Sequence, residues 1–346
     1  MHQRRLPWRD DPSPYRVWVS EIMLQQTQVA TVIPYFERFV AAFPTVDALA
    51  AADLSDVLTL WSGLGYYRRA RLLHAAAREV VDAHGGRLPS TVEGLLGLPG
   101  VGRYTAGAIA SIAFSVRAPV LDGNVMRVLS RLDAVDAPVD AAATQRALWA
   151  RAEALVPADD PSAHNQAMME LGALVCTPRA PDCPACPWVD ACAAHARGAA
   201  HLFPKKSPKA PARAVSVVAG LLGRSLADDA VLLARRPEDG LFGGLWELPA
   251  TDLEARRAPA SPRAALARAF RDRLGLDVDV GPHLAGLTHQ LTHRTLSIDV
   301  FRVTAARGAD PRPSWYTEAR WVPRSAPDAV PLSTLTRKVL AAVGAA

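Results

Sequence analysis

The sequence predicts two domains of different class, an all-α region followed by an α+β one. Three observations carry this. The chain has 346 residues, more than a single hydrophobic core ordinarily serves. Apolar residues recur at helical spacing through residues 13–196, whereas strand-like runs dominate after residue 214. Between the two lies Pro204-Lys205-Lys206-Ser207-Pro208-Lys209-Ala210-Pro211, whose three prolines and three lysines cannot build a core and read as a linker. A composition that is 50% hydrophobic and 21% charged excludes wholesale disorder. The longest apolar stretches, such as Ala214 to Gly223, are too short to span a bilayer. The start, Met1-His2-Gln3-Arg4-Arg5, carries no apolar run, so no signal peptide is expected and the protein reads as cytoplasmic.

The helical runs are Val17–Phe43, Val57–Leu60, Arg69–Ala83, Thr105–Ala113, Val125–Val135 and Gln145–Leu155. Breaks fall at Pro44, Gly63, Gly65, Gly85-Gly86, Pro99-Gly100 and Pro138. In the second half Val215–Leu222, Ala230–Arg235, Leu284–Gln290, Thr295–Val303 and Ala319–Val322 read as strands. Residues 262–274 and Leu332–Val343 read as helices, which makes this half α+β.

Charge is unevenly placed. The formal net charge is +5, but residues 1–204 hold 18 Arg against 20 acidic residues, and residues 205–346 hold 21 basic against 14 acidic. The basic excess therefore lies outside the helical half and is weak support for nucleic-acid binding. The 39 basic residues comprise 35 Arg and only 4 Lys, which are Lys205, Lys206, Lys209 and Lys338. Residues 1–204 thus contain no lysine at all, so lysine-based covalent chemistry is unavailable there.

Four features carry chemistry. Leu98-Pro99-Gly100-Val101-Gly102-Arg103 joins two helical stretches. Its two glycines allow backbone N–H groups to approach a phosphate at the start of the following helix, although an ordinary helix–helix turn reads the same way. Glu21 has Val17, Trp18, Leu24 and Gln25 as helical neighbours, three of them apolar. Poor solvation there would raise its pKa and suit a general acid, unless it pairs with an arginine. Asp122, in Val120-Leu121-Asp122-Gly123-Asn124, stands where a helix N-cap is common, and an N-cap carboxylate can also face a developing cation. One proton donor and one anion are the parts that cleavage of a glycosidic bond needs. Finally, Cys176, Cys183, Cys186 and Cys192 give the spacing C-x6-C-x2-C-x5-C, which can hold one zinc or a [4Fe–4S] cube. With one tight pair and unequal outer arms, the spacing leans toward iron–sulfur. All cysteines lying in one cluster also speaks against a disulfide framework.

Taken together these residues resemble the endonuclease III superfamily of DNA glycosylases, and most closely the MutY family of adenine DNA glycosylases. The resemblance implies an all-α helix-hairpin-helix glycosylase region with a [4Fe–4S] module, followed by an α+β Nudix-like domain. The implied boundaries are 1–198 for the catalytic region, 199–213 for the linker and 214–346 for the Nudix-like domain. Within the first, a six-helix barrel would span about 13–118, with the iron–sulfur part at about 1–12 and 119–198. It also implies that Glu21 protonates the leaving adenine and handles water, that Asp122 stabilises the sugar cation, and that Tyr104 and Asn124 hold the two carboxylates. Sister enzymes place a nucleophilic lysine where Tyr104 stands. Leu98, Gly100, Val101, Gly102 and Arg103 correspond to the DNA-anchoring hairpin, and Arg179 is the one basic residue in the loop between the first cysteines. The base must be flipped out of the duplex. The family places a glutamine and a tyrosine beside the partner guanine, which correspond to Gln26 and Tyr66. Tyr67 reads as core, and Arg68, Arg69 and Arg71 as a local basic patch.

The second half resembles a Nudix fold. Arg268-Ala269-Phe270-Arg271-Asp272-Arg273-Leu274-Gly275 stands where a working Nudix hydrolase needs several glutamates for magnesium. Ala269 and Arg273 replace them, so no hydrolase activity of that kind is expected. Thr292 and His293 match the loop with which the family recognises 8-oxoguanine, while Leu291 stands where an aromatic residue is usual. The expected function is hydrolytic removal of adenine opposite 8-oxoguanine or guanine in double-stranded DNA, by a monomer in the bacterial cytoplasm, associated with the nucleoid when acting on DNA. The rival readings are a bifunctional glycosylase/lyase and a catalytically silent iron–sulfur protein that binds DNA damage.

Overall fold

The computed structural model describes residues 4–208, 211–224, 229–253, 261–305 and 309–344. The expected linker positions 209–210 lie outside the described residues. In chain order the helices are α1 (Pro7–Asp10), α2 (Pro14–Leu24), α3 (Val29–Ala42), α4 (Val46–Ala51), α5 (Leu54–Leu60), α6 (Arg68–His84), α7 (Val92–Gly97), α8 (Arg103–Phe114), α9 (Gly123–Leu132), α10 (Ala142–Leu155), α11 (Pro161–Glu170), α12 (Ala193–Ala196), α13 (Pro262–Leu274) and α14 (Thr334–Gly344). The strands are β1 (Arg213–Leu222), β2 (Ala230–Arg235), β3 (Trp246–Glu247), β4 (Ala250–Asp252), β5 (Val278–Gln290), β6 (Arg294–Ala305) and β7 (Glu318–Pro323).

Contacts divide the chain into two units, Met1–Ala52 with Arg69–Lys209, and Asp53–Arg68 with Ala210–Ala346. The sequence boundaries cut the chain once, near residues 199–213. The contacts instead place the early segment Asp53–Arg68 with the C-terminal unit. The reason lies in main-chain acceptors far along the sequence: Ser62 and Tyr67 both donate to the Leu332 carbonyl, at 2.9 and 2.8 Å.

The first unit is helical. Ser13 caps α2 by accepting the Arg16 N–H, and Pro14 opens its first turn. The apolar run predicted from Val17 to Phe43 is two helices, broken at Gln25–Gln28, where Gln26 takes a left-handed backbone (φ +58°). The end of α2 is held by Arg69 of α6. Its guanidinium donates to the carbonyls of Ile22 (3.0 Å), Met23 (2.8 Å) and Gln25, and to Thr27 Oγ1 (3.0 Å). Arg69 is buried, so it is an internal cap and not part of the expected surface patch. Arg69→Ala leaves several buried carbonyls without donors, and we expect a loss of about 2–4 kcal/mol in chemical denaturation. A midpoint unchanged from the parent would show that water replaces the cap.

Val120, Leu121, Val125, Val128 and Leu129 form a core with Leu148, Met168 and Leu171, so α9, α10 and α11 pack together. Helix α11 was not legible as an apolar run, because the residues it buries, Pro161, Asn165, Met168 and Glu170, are mostly not apolar. A π-turn at Leu171–Val175 follows it and leads to Cys176. The proline–lysine segment is strapped onto this unit as far as Ser207. Phe203 packs with Ala134 and Ala194, the Lys205 carbonyl accepts from Val139 (2.9 Å), and the Ser207 N–H binds Asp140 (2.9 Å).

The second unit is α+β. One sheet has the order β4-β1-β6-β5 and the other β3-β2-β7. Strands β1 and β6 run parallel, whereas β5 and β6 form an antiparallel hairpin. Two cores fill it, one including Val339 and Val343 of α14 and the other Leu266, Phe270 and Leu274 of α13. The two- and three-residue strands β3 and β4 escaped the sequence reading, being too short to show alternation. Among the described residues no helix is long and apolar enough to cross a membrane.

Candidate active site

A cavity of about 860 Å³ in the first unit is lined by Glu21, Tyr104, Asp122 and Asn124, and also by Gln25 and Gln26. All but Gln25 are site residues that the sequence points to. Glu21 lies on the buried side of α2. Burial pushes its carboxyl up to about 7, and the neighbouring Asp122 charge adds to this, while the Tyr104 hydrogen bond and Arg9 work against it. The Tyr104 hydroxyl donates to Glu21 Oε2 at 2.7 Å and also faces Met169 Sδ at 3.3 Å. Burial and the adjacent Glu21 raise the tyrosine's own pKa, so it remains a donor.

Asp122 is the N-cap of α9. Its Oδ1 accepts the N–H groups of Asn124 (3.0 Å) and Val125 (2.7 Å), and its Oδ2 accepts the Asn124 amide (2.9 Å). Burial pushes its pKa up, against these three donors and the charge of Arg127. The carboxylate thus keeps a fixed orientation at the positive end of the helix. Asn124 is itself fixed: its Oδ1 accepts from Arg127 at 2.9 Å, and the same guanidinium reaches the carbonyls of Gly172 and Cys176, each at 2.7 Å. Gly172 in the π-turn is required for this approach, because a Cβ there would stand 2.6 Å from the Asn124 Cβ.

Glu170, Arg4 and Arg9 are among the lining residues of this cavity that the sequence did not reveal. Glu170, buried at the end of α11, lines it and is bound by Arg4 (down to 2.6 Å) and Arg9 (3.0 Å). Burial pushes Glu170 up, but the two guanidiniums outweigh it and hold the carboxyl below its ordinary value. These partners are separated by 166 and 161 positions, which no local pattern signals.

The glycine-rich turn joins α7 to α8. Gly100 has φ +78°, and Gly102 begins α8 without a side-chain cap, which leaves the first N–H groups of that helix undirected by any side chain. Leu98 and Val101 are buried, and their N–H groups are bonded to the Leu95 and Leu98 carbonyls (each 3.1 Å), whereas Arg103 is exposed and stacks on Trp149 (4.1 Å). Gln26 is exposed in this unit, and Tyr66 is exposed in the other.

The four cysteines are free thiols that border one small hollow with Arg131 in its wall. No three described His, Cys, Asp or Glu side chains cluster tightly enough to share a single ion. Arg131, itself buried, donates to Cys176 Sγ (3.2 Å) and to the carbonyls of Thr177 and Pro178 (2.7 and 3.1 Å). It thereby fixes the loop that exposes Arg179. Cys183 and Cys186 are pushed up by burial, and the charges of neighbouring thiolates add to it, a repulsion that a bound cation relieves.

In the second unit Thr292 and His293 stand exposed at the tip of the β5–β6 hairpin. Leu291 packs half-buried against the core instead of standing free for stacking. At the Nudix-helix position Ala269 is buried, and Arg273 turns to the Ala250 carbonyl (2.7 Å) and stacks on Trp315 (4.4 Å).

Residues 19–154 match the HhH-GPD superfamily of base excision DNA repair proteins, and residues 222–342 match the NUDIX domain. The adenine DNA glycosylase of Rattus norvegicus is 40% identical over 373 residues, covering 92% of this chain and 71% of the relative. The chain belongs to the adenine DNA glycosylase family. The human adenine DNA glycosylase is 38% identical, over 97% of this chain and 71% of its own. Among solved structures, a thermostable thymine-DNA glycosylase matches with a TM-score of 0.52 and 30% identity, over 56% of this chain and 89% of that one. Family membership makes the chain a DNA N-glycosylase, a hydrolase of base excision repair whose substrate is DNA.

Proposed function

We propose that the chain removes adenine paired with 8-oxoguanine, or with guanine, by monofunctional hydrolysis after the base is flipped from the duplex. The observation that carries this is the pair of carboxylates in one cavity, Glu21 buried with its carboxyl near 7 and Asp122 oriented by the start of α9. Glu21 donates its proton to the adenine as the glycosidic C–N bond breaks, then takes one from the water that adds to the sugar. Asp122 faces the oxocarbenium-like sugar as an anion. Tyr104 orients Glu21, and Asn124 orients Asp122. Glu170, Arg4 and Arg9 offer an acceptor and donors suited to the amino and ring-nitrogen edge of a purine.

Catalytic residues and the hairpin sit in the region of 1–198, and opposite-base recognition in 214–346. The N–H groups around Gly100, Gly102 and Arg103 hold a phosphate, with the Leu98 and Val101 backbones shaping the turn, and Arg179 adds a further contact. Gln26 and Tyr66 fill and probe the duplex where the adenine leaves, and Thr292 and His293 inspect the partner base. Single-turnover assays on duplexes carrying adenine opposite 8-oxoguanine, thymine glycol or uracil test the reading. Absence of free adenine from the first duplex overturns it, and strand cleavage without added base or heat restores the lyase alternative.

Cys176, Cys183, Cys186 and Cys192 suit a [4Fe–4S] cluster, since a cube with four irons takes its thiolates from a wider perimeter than one zinc, whose Zn–S bonds are about 2.3 Å. The cluster serves as a staple for the loop carrying Arg179. Purified protein is expected to be brown, with about four iron atoms per chain. One zinc and no iron by elemental analysis rejects the assignment.

A further inference from the structure

Residues Trp61–Tyr67 form a turn in which Gly63, Gly65 and Tyr66 all adopt left-handed backbone, Tyr66 at φ +50°. A tyrosine in that region is strained and persists only where its surroundings fix it. Here the Trp61 Nε1–H donates to the Gly65 carbonyl (3.1 Å) and the Gly63 N–H donates to the Tyr67 hydroxyl oxygen (2.9 Å). The Tyr67 hydroxyl thus closes the neck of the turn, and it donates its own hydrogen bond to the Leu332 carbonyl (2.8 Å). Ser62 donates to the same carbonyl (2.9 Å) and accepts from Arg337 of α14 (2.9 Å). Leu332 is fully buried and bridges to Trp246 of β3. Helix α14, which starts just beyond it, packs on β5, and β5 runs directly to Thr292 and His293.

We propose that Tyr67 is a positioning residue whose hydroxyl fixes Tyr66 on the same scaffold that carries Thr292 and His293. The side chain that stacks beside the partner base and the loop that inspects that base are then set by one framework. The inference rests on the roles proposed above for Tyr66 and the loop, and adds to them that opposite-base inspection and base extrusion are mechanically linked.

The test uses the full chain and duplexes with 2-aminopurine beside the target adenine, whose fluorescence rises on unstacking. Tyr67→Phe keeps the ring and removes only the hydroxyl. It is expected to slow the rise about five- to tenfold, the weight of one hydrogen-bonded hydroxyl. In a Tyr66→Ala background the same change is expected to alter it less than about twofold, because the effect passes through Tyr66. A rise as fast as the parent's overturns the proposal, and so does equal slowing in both backgrounds, which marks a general loosening of the fold. Ser62→Ala removes the other donor to the Leu332 carbonyl. It is expected to slow the rise in the same direction, and carries the test should Tyr67→Phe fail to fold. The fluorescence reports unstacking whichever partner base is preferred. A parent that shows the rise but releases no adenine opposite either 8-oxoguanine or guanine would refute the proposed function alone.

Discussion

Glu21→Gln is expected to reduce adenine release by about 10²–10⁴-fold, the usual worth of a positioned general acid, while leaving the DNA complex in place. Glutamine fills the same volume and still accepts the Tyr104 hydrogen bond, but it holds no transferable proton. The pH profile of the parent follows from the same group. Its carboxyl is raised from 4.5 to about 7 by burial, so the protonated, donating form prevails below that pH. Single-turnover rates should fall as pH rises through about 7, and the variant should lack this limb. Stability moves with it. The unfolded chain has already lost the proton above 4.5 while the folded one keeps it to about 7, so this residue's contribution declines as pH rises between those values. Above that range Glu21→Gln should therefore melt higher than the parent. A variant that retains release, or that loses the DNA complex together with it, contradicts the assignment.

Asp122→Asn is expected to cost about 10²–10³-fold in the same assay, as removal of one preorganised electrostatic partner does. Asparagine is as good an N-cap as aspartate, so its side-chain oxygen can still take the N–H groups of Asn124 and Val125, and α9 should stay folded. The charge facing the sugar cation is lost. The new amide also meets the Asn124 amide that formerly donated to Oδ2, which disturbs the pair. Unchanged circular dichroism and binding with lost release is the expected combination. Loss of binding would make Asp122 a structural cap and nothing more.

Much of the fold was legible, because α6 and β6 bury regular stripes and α8 and β2 are continuous buried runs rich in small or branched apolar residues. The burial of Glu21 and the N-cap placement of Asp122 were legible from their neighbours in sequence, whereas Tyr104 entered only through the family resemblance. What stayed hidden depends on contacts between distant positions. Glu170 reads as an ordinary helix residue until Arg4 and Arg9 arrive beside it. Arg127 and Arg131 look like surface charges on α9, yet each is spent on main-chain carbonyls near Cys176. Arg69 was misread for the same reason, since its neighbours in sequence are arginines while its partners end α2. The break at Gln25–Gln28 carries no proline or glycine, so nothing local announces it.

The allocation of Asp53–Arg68 to the C-terminal unit bears on how such a chain can be recombined. A cut or a fusion placed at the proline–lysine segment would look natural from composition. It would part Ser62 and Tyr67 from the carbonyl that receives both hydroxyls, and leave the early piece without its acceptor. Fragments exchanged between relatives must carry the two stretches together, and a change in the path of the chain at Leu332 is inherited by a turn encoded far upstream.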